Sequence, residues 1–228
     1  MKISSLAIIF SLGVMRSIEH LTGDYYHVYT RGVDKRTIFL DLIDRERFLQ
    51  GLVSLNDSLR PSNIGFAKKS PNRVRRYVDI LAFCLMGNHF HLLLRQKNKR
   101  GIEKFLHRLL NSYAKYFNIR HSRTGKLFEA NYQSKHIQSD EQLLAVLRYI
   151  HLNPIEIIDP AWKETGFCFD KGRVLHFLRE YRWSSIHDYL GLDKRPWIIR
   201  NATNDLNAKE FMSLLMSGFT DTQSQDDS

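Results

Sequence analysis

VDILAFCLMGNHFHLLLR, residues 78–95, is the stretch that decides the fold. Two apolar runs, 78–85 and 89–95, stand on either side of Gly87-Asn88, a dipeptide suited to a tight hairpin turn. The spacing predicts two antiparallel strands. In the second run His89 and His91 are two apart, so both imidazoles leave one face of the strand from Cα atoms about 6.6 Å apart, while Phe90, Leu92 and Leu94 leave the other. The apolar face is read as packing on helices. The imidazole face suits a metal ion or an ordinary half-exposed sheet surface, and the pattern alone decides neither.

Outward from this hairpin, DYYHVYT (24–30) is aromatic and β-branched and reads as a strand closed by Arg31-Gly32. Residues 42–55 read as a helix, with Leu42, Phe48, Leu49, Leu52 and Leu55 near helical spacing. From 57 to 77, Pro61, Pro71 and many basic residues predict a long, positively charged loop. Residues 102–119 place Ile102, Phe105, Leu109, Tyr113 and Tyr116 at steps of three and four, which predicts a second helix. After a glycine loop at Gly125 comes a strand around 132–137. Ser139, with Gln142 three residues on, then opens a helix that runs until Pro154.

In order, these are β, α, β, β, α, β and one further helix. The pattern predicts an α+β, ferredoxin-like (βαββαβ) antiparallel sheet with helices on one face. The catalytic unit is expected over 15–160, after an extension at 1–14 whose brief apolar run suggests that translation starts at Met15. A C-terminal extension over 161–200 is expected to pack on the domain with Trp183 as an anchor. Residues 201–228 read as a short helix and a disordered acidic tail.

With 228 residues, 43% hydrophobic and 12% aromatic, the chain is a folded domain rather than a disordered or collagenous one. Its net charge is +10, yet residues 201–228 carry five acids against Lys209, which leaves the rest more basic still. Such a field favours nucleic acid as partner, ahead of an anionic membrane surface. Cys84 and Cys168 are the only cysteines, so no disulfide framework or thiolate metal site is suggested, and a reducing cytoplasm fits.

The last helix adds chemistry. Tyr149 and Asn153 are four apart and share a helical face, about 6 Å apart along the axis. A tyrosine hydroxyl can attack phosphorus where a metal polarises the scissile phosphate. An Asn153 amide oxygen beside His89 and His91 would complete a site with open positions, suited to Mg²⁺ or Mn²⁺. The plainer alternative makes Tyr149 a core aromatic and Asn153 a helix end before a proline. Tyr113 and Tyr116 also lie on a helix near basic residues, but the positions four on are Phe117 and Arg120, which are not ligand types. Lys115, Tyr116 and Arg120 are candidate DNA contacts, as are Arg73, Arg75 and Arg76 in the basic loop.

YYHVYTRG, MGNHFHLLL, SYAKYFN, GKLFEANYQS, LRYIHLNPI and YRWSSIHDYL, spread over residues 23–191, resemble the single-tyrosine HUH transposases, in particular the REP-associated tyrosine transposases related to small insertion-sequence transposases. The resemblance puts the histidine, hydrophobic, histidine motif on His89, Phe90 and His91. It puts the nucleophile on Tyr149 and the third metal ligand on Asn153. It implies metal-dependent cleavage and rejoining of single-stranded DNA beside hairpins through a 5′-phosphotyrosine intermediate, without ATP. Repetitive palindromes or element ends would be the substrates, and DNA transposition and recombination the consequence. A cytoplasmic, nucleoid-associated monomer or homodimer with no membrane association is expected. Glu156 stands where relatives often carry arginine, and the apolar N-terminal extension is also atypical. Two other functions share the fold: a catalytically silent nucleic-acid binder, and a metal nuclease that uses water in place of tyrosine.

Overall fold

The computed structural model describes residues 19–58, 75–129, 132–165, 171–193, 195–197 and 206–217. The extension at 1–14, Arg73 with most of the basic loop, Cys168 and the last eight residues lie outside the described residues. Strands β1 (Tyr25–Arg31), β2 (Val78–Leu85), β3 (His89–Gln96) and β4 (Gln133–Ile137) form one antiparallel sheet in the order β2-β3-β1-β4. With α1 (Leu42–Ser54) and α2 (Gly101–Arg120) between them, this is the ferredoxin-like arrangement.

α1 and α2 cover the Phe90 face. Phe48 of α1 lies 4.8 Å from Phe90 and 5.1 Å from Tyr113 of α2, ring centre to ring centre. The other face, where His89 and His91 emerge, is covered by α3 (Asp140–Leu152), which packs on β2 and β3. Within α1 the buried apolar side chains are Phe48 and Leu52, followed by the capping Leu55, whereas Leu42 is 62% exposed. Leu42 is six residues before Phe48, about 240° round the helix, so it cannot share that stripe. In α2 the stripe ends on buried Phe117, four after Tyr113, and Tyr116 is only half-buried.

Gly87-Asn88 does turn the β2–β3 hairpin, but neither residue has positive φ, so the turn is not one of the primed types. Neighbouring backbone holds it instead. The Gly87 carbonyl accepts from the Ile38 and Phe39 amides, and the Asn88 carbonyl from the Gly32 amide. Gly32 has to be glycine there: a Cβ would sit 2.3 Å from the Arg36 carbonyl oxygen.

Beyond α3 the chain makes a 3₁₀ turn (Asn153–Ile157), then α4 (Trp162–Thr165), α5 (Lys171–Glu180), α6 (Ile186–Leu190) and α7 (Ala208–Met216). Segment 183–185 runs along the outer edge of β2. The Leu85 amide donates to the Trp183 carbonyl, and the Ser185 amide to the Phe83 carbonyl. Tyr181 and Tyr189 hydroxyls donate to the Leu85 and Leu81 carbonyls. An edge that would otherwise offer unpaired backbone is thereby capped.

Asp44 is the polar tie between α1 and α2. It is fully buried, and its carboxylate accepts from the Leu40 amide, Arg120, Tyr116 and His121. Burial works to raise its pKa, but the bonds from His121, Leu40, Arg120 and Tyr116 outweigh it and hold the carboxyl below the usual range. Asp44→Ala is expected to cost about 3 kcal/mol or more, because it leaves several donors without their acceptor. Urea unfolding of the variant would show the loss as a lowered midpoint, and an unchanged midpoint would refute this account.

Candidate active site

A helix residue and its i+4 partner are about 6 Å apart along the axis, nearly the spacing of alternate residues on a strand. α3 laid across β3 therefore matches two residues with two. The Tyr149 ring stands 5.4 Å from the His91 ring, edge to face, and Asn153 Oδ1 lies 3.3 Å from His89 Nε2. Asn153 sits in the 3₁₀ turn with helical dihedrals, so the face of α3 continues through it. Ser139 caps the start of α3 by accepting from the Gln142 amide, while the Gln142 side chain reaches one residue further back, to the Gln138 amide.

The hydrogen bonds fix the protons. Asn88 Nδ2 donates to the Lys35 carbonyl, so its Oδ1 faces His89 Nδ1, at 2.6 Å. His89 Nδ1 must then carry the hydrogen, and Nε2 presents a bare lone pair to Asn153 Oδ1. Asn153 is fully buried, and its Nδ2 has no hydrogen-bond partner among the described residues. Turning the Asn153 amide brings either Nδ2, as a hydrogen-bond donor, or Oδ1, as a second cation ligand, to that lone pair. With Oδ1 inward, the imidazole nitrogen and the amide oxygen are both donor types of divalent metal sites, the oxygen being the one that suits Mg²⁺ or Mn²⁺. Among the described residues no group of three or more His, Cys, Asp or Glu side chains gathers to hold a metal; the donors brought together are two imidazoles and an amide.

Burial keeps these imidazoles neutral. It lowers the His89 pKa to about 4, against smaller raising effects of Glu156 and Asn153, and it lowers His91 well below the ordinary value, helped by His27 and His89. Neutral rings are what metal ligation needs. Cys84, paired across the sheet with His91, has its thiol raised by burial and stays protonated.

A cleft of about 390 Å³ opens over the site, lined among others by Tyr29, Arg31, His89, His91, Tyr149 and Lys163. The Lys163 ammonium lies 5.2 Å from the Tyr149 ring centre and 2.5 Å from Glu156 Oε2. The acid found where arginine was expected thus holds a lysine in the cleft. The candidate DNA contacts fall elsewhere. Arg75 and Arg76 precede β2 at the end paired with Gln96, away from His89. Lys115, Tyr116 and Arg120 are on α2, across the sheet from the cleft. Lys115 is exposed, while Arg120 is engaged by Asp41 and Asp44, and Tyr116 by Asp44.

Sequence reasoning passed over His27, Tyr29, Arg31 and Lys163. The first three carry a legible signal, since Tyr25, His27, Tyr29 and Arg31 alternate on β1, and Tyr29 and Arg31 pair directly with His91 and His89. Lys163 carries none, because a chain excursion brings it back.

Residues 72–153 match the family described as IS200-like transposases. The solved structure of a REP-associated tyrosine transposase bound to a REP hairpin is similar in fold, with a TM-score of 0.51 at 13% identity, over 86% of this chain and 96% of that chain. Comparison with curated protein sequences gives no match. The stretch that carries His89, His91, Tyr149 and Asn153 is thus the part of the chain that matches the IS200-like transposase model, set in a fold similar to that of a REP-associated tyrosine transposase.

Proposed function

We infer that this protein is a transposase that cleaves and rejoins single-stranded DNA beside hairpins, with Tyr149 as nucleophile and His89, His91 and Asn153 holding Mg²⁺ or Mn²⁺. The observation that carries the reading is the matched pairing of α3 with β3, which puts a tyrosine beside one histidine and an amide oxygen beside the other. The metal, when bound, would polarise the scissile phosphate and disperse charge on its oxygens.

This chain's own residues do the rest. Tyr149 Oη forms a bond to phosphorus as the bond to the departing 3′ oxygen breaks, and the hydroxyl proton leaves to water in the open cleft. The departing 3′ oxygen takes a proton from water in the cleft and is released as the hydroxyl, and the 5′ phosphate stays on the tyrosine. One phosphodiester replaces another, so the step is reversible without ATP, and attack by a free 3′ hydroxyl returns the tyrosine. Arg31 and Lys163 are the cleft cations placed to meet the DNA phosphates. Among the described residues no helix is long and apolar enough to cross a membrane.

The test is to incubate the protein with Mn²⁺ and a labelled single strand carrying a hairpin, then resolve the products on a denaturing gel. A covalent protein–DNA adduct is expected, with a nucleotide-bearing peptide that maps to Tyr149. Cleaved DNA without adduct would support the water-using nuclease instead. Binding without cleavage would support the silent binder.

A further inference from the structure

β1 brings a third histidine to the site, for which the mechanism above has no use. His27 is 3% exposed, and its Nε2 lies 2.9 Å from His91 Nδ1. The two rings meet edge to edge with their centres 5.1 Å apart and 26° between their planes, and His27 is held from its other sides by Tyr29 at 5.2 Å and Tyr149 at 5.8 Å.

Two neutral imidazoles share one hydrogen in such a bond, and its direction decides what His91 can do. If His27 donates, His91 Nδ1 is the acceptor and the ring's own hydrogen sits on Nε2, which is then closed to a cation. If His91 donates, Nε2 keeps a lone pair on the side of the ring away from His27. We propose that His27 is the positioning residue of this site: it accepts the Nδ1 hydrogen of His91 and so keeps the His91 Nε2 lone pair available for the metal. This rests on the reading of His89 and His91 as metal-holding residues.

The neighbouring ligand is built the same way. Asn88, locked by the Lys35 carbonyl, accepts from His89 Nδ1. Each imidazole thus has its Nδ1 occupied by a side chain one layer out, one from the hairpin turn and one from β1, and each is left with Nε2 bare. Outer partners of this kind fix the tautomer and orientation of a ligating imidazole, and their loss costs about 10–100-fold in metal affinity.

The experiment has two arms. In metal-free, ¹⁵N-labelled protein, long-range proton–nitrogen spectra read the tautomer of His91 directly. The wild type is expected in the Nδ1–H form, and His27→Phe in the Nε2–H form or a mixture. In the second arm Mn²⁺ binding is titrated. His27→Phe is expected to bind about 10–100-fold more weakly, and His27→Gln, whose amide oxygen can accept the same hydrogen, to recover most of that loss. Retained far-ultraviolet circular dichroism in His27→Gln guards against a folding artefact. A wild-type His91 in the Nε2–H form, or unchanged Mn²⁺ affinity in His27→Phe, overturns the proposal. Equal Mn²⁺ binding by wild type and His91→Ala instead overturns the metal reading beneath it, while the metal-free spectra still report which way the His27–His91 bond runs.

Discussion

Tyr149→Phe is expected to abolish covalent adduct formation and to lower strand cleavage by on the order of 10⁴-fold or more, while hairpin binding stays within a factor of a few. Loss of a covalent nucleophile has effects of that size, because neither phosphate binding nor a metal replaces the missing bond-forming atom. The substitution removes one oxygen and keeps the ring, so the edge contact on His91 and the stacking beneath Lys163 survive. The folded state should hardly notice. A competitor exists in the cleft: Tyr29 lies 5.6 Å from His91, ring to ring, and burial raises its hydroxyl pKa, with Tyr149 adding to the effect. Raised hydroxyls ionise less readily, and Tyr29→Phe should keep most of the adduct yield. Tyr113 is not in contention. Its hydroxyl donates to the Ile38 carbonyl on the far side of the sheet, and burial raises it well above the ordinary tyrosine range. Adduct that persists in Tyr149→Phe and vanishes in Tyr29→Phe would move the nucleophile to β1.

What made the fold legible was periodicity. The alternation of His89, Phe90, His91 and Leu92 fixes which side of the sheet is dry, and the steps of α2 supply the helix to cover it. The pairing of Tyr149 and Asn153 was also readable, because i, i+4 geometry needs no tertiary knowledge. Other features depended on contacts between distant segments. Asp44 looks like a surface acid on α1, and only the return of α2 with Arg120 and His121 makes it a buried anchor. The same pairing is why Arg120, read as a phosphate contact, is already engaged. His27 could have been placed by extending the two-residue alternation to β1, whereas its bond to His91 required the register of β1 against β3. Lys163 reached the cleft by a turn after Pro154 that no periodic signal encodes.

Acid should destabilise this protein from a pH where most domains are still unaffected. Four histidines are buried neutral: burial lowers His27 to about 3, His89 to about 4, His151 to about 3 and His91 well below its ordinary value. His151 is typical. Its Nδ1–H donates to the Leu147 carbonyl and its Nε2 accepts from the Ser185 hydroxyl, in a fully buried setting with no room to hydrate a charge. Each folded pKa lies below the unfolded value near 6.5, so above that pH both states hold the same protons and stability is flat. Below it the unfolded chain takes up protons that the folded one refuses. Stability then falls by about 1.4 kcal/mol per pH unit for each histidine until its folded pKa is reached. At pH 5 that is about 2 kcal/mol each, an upper limit of roughly 8 kcal/mol together, against a total of about 5–15 kcal/mol for a typical domain. Asp44 adds its own loss only at lower pH, as it protonates through its depressed pKa. Urea midpoints measured from pH 8 to 4.5 should therefore hold steady to about 6.5 and then drop steeply. His151→Gln, which removes one titrating group, should flatten the slope by about a quarter. A midpoint that stays level from pH 7 to 5 would mean that the sheet face beneath α3 admits water and that these imidazoles titrate in place.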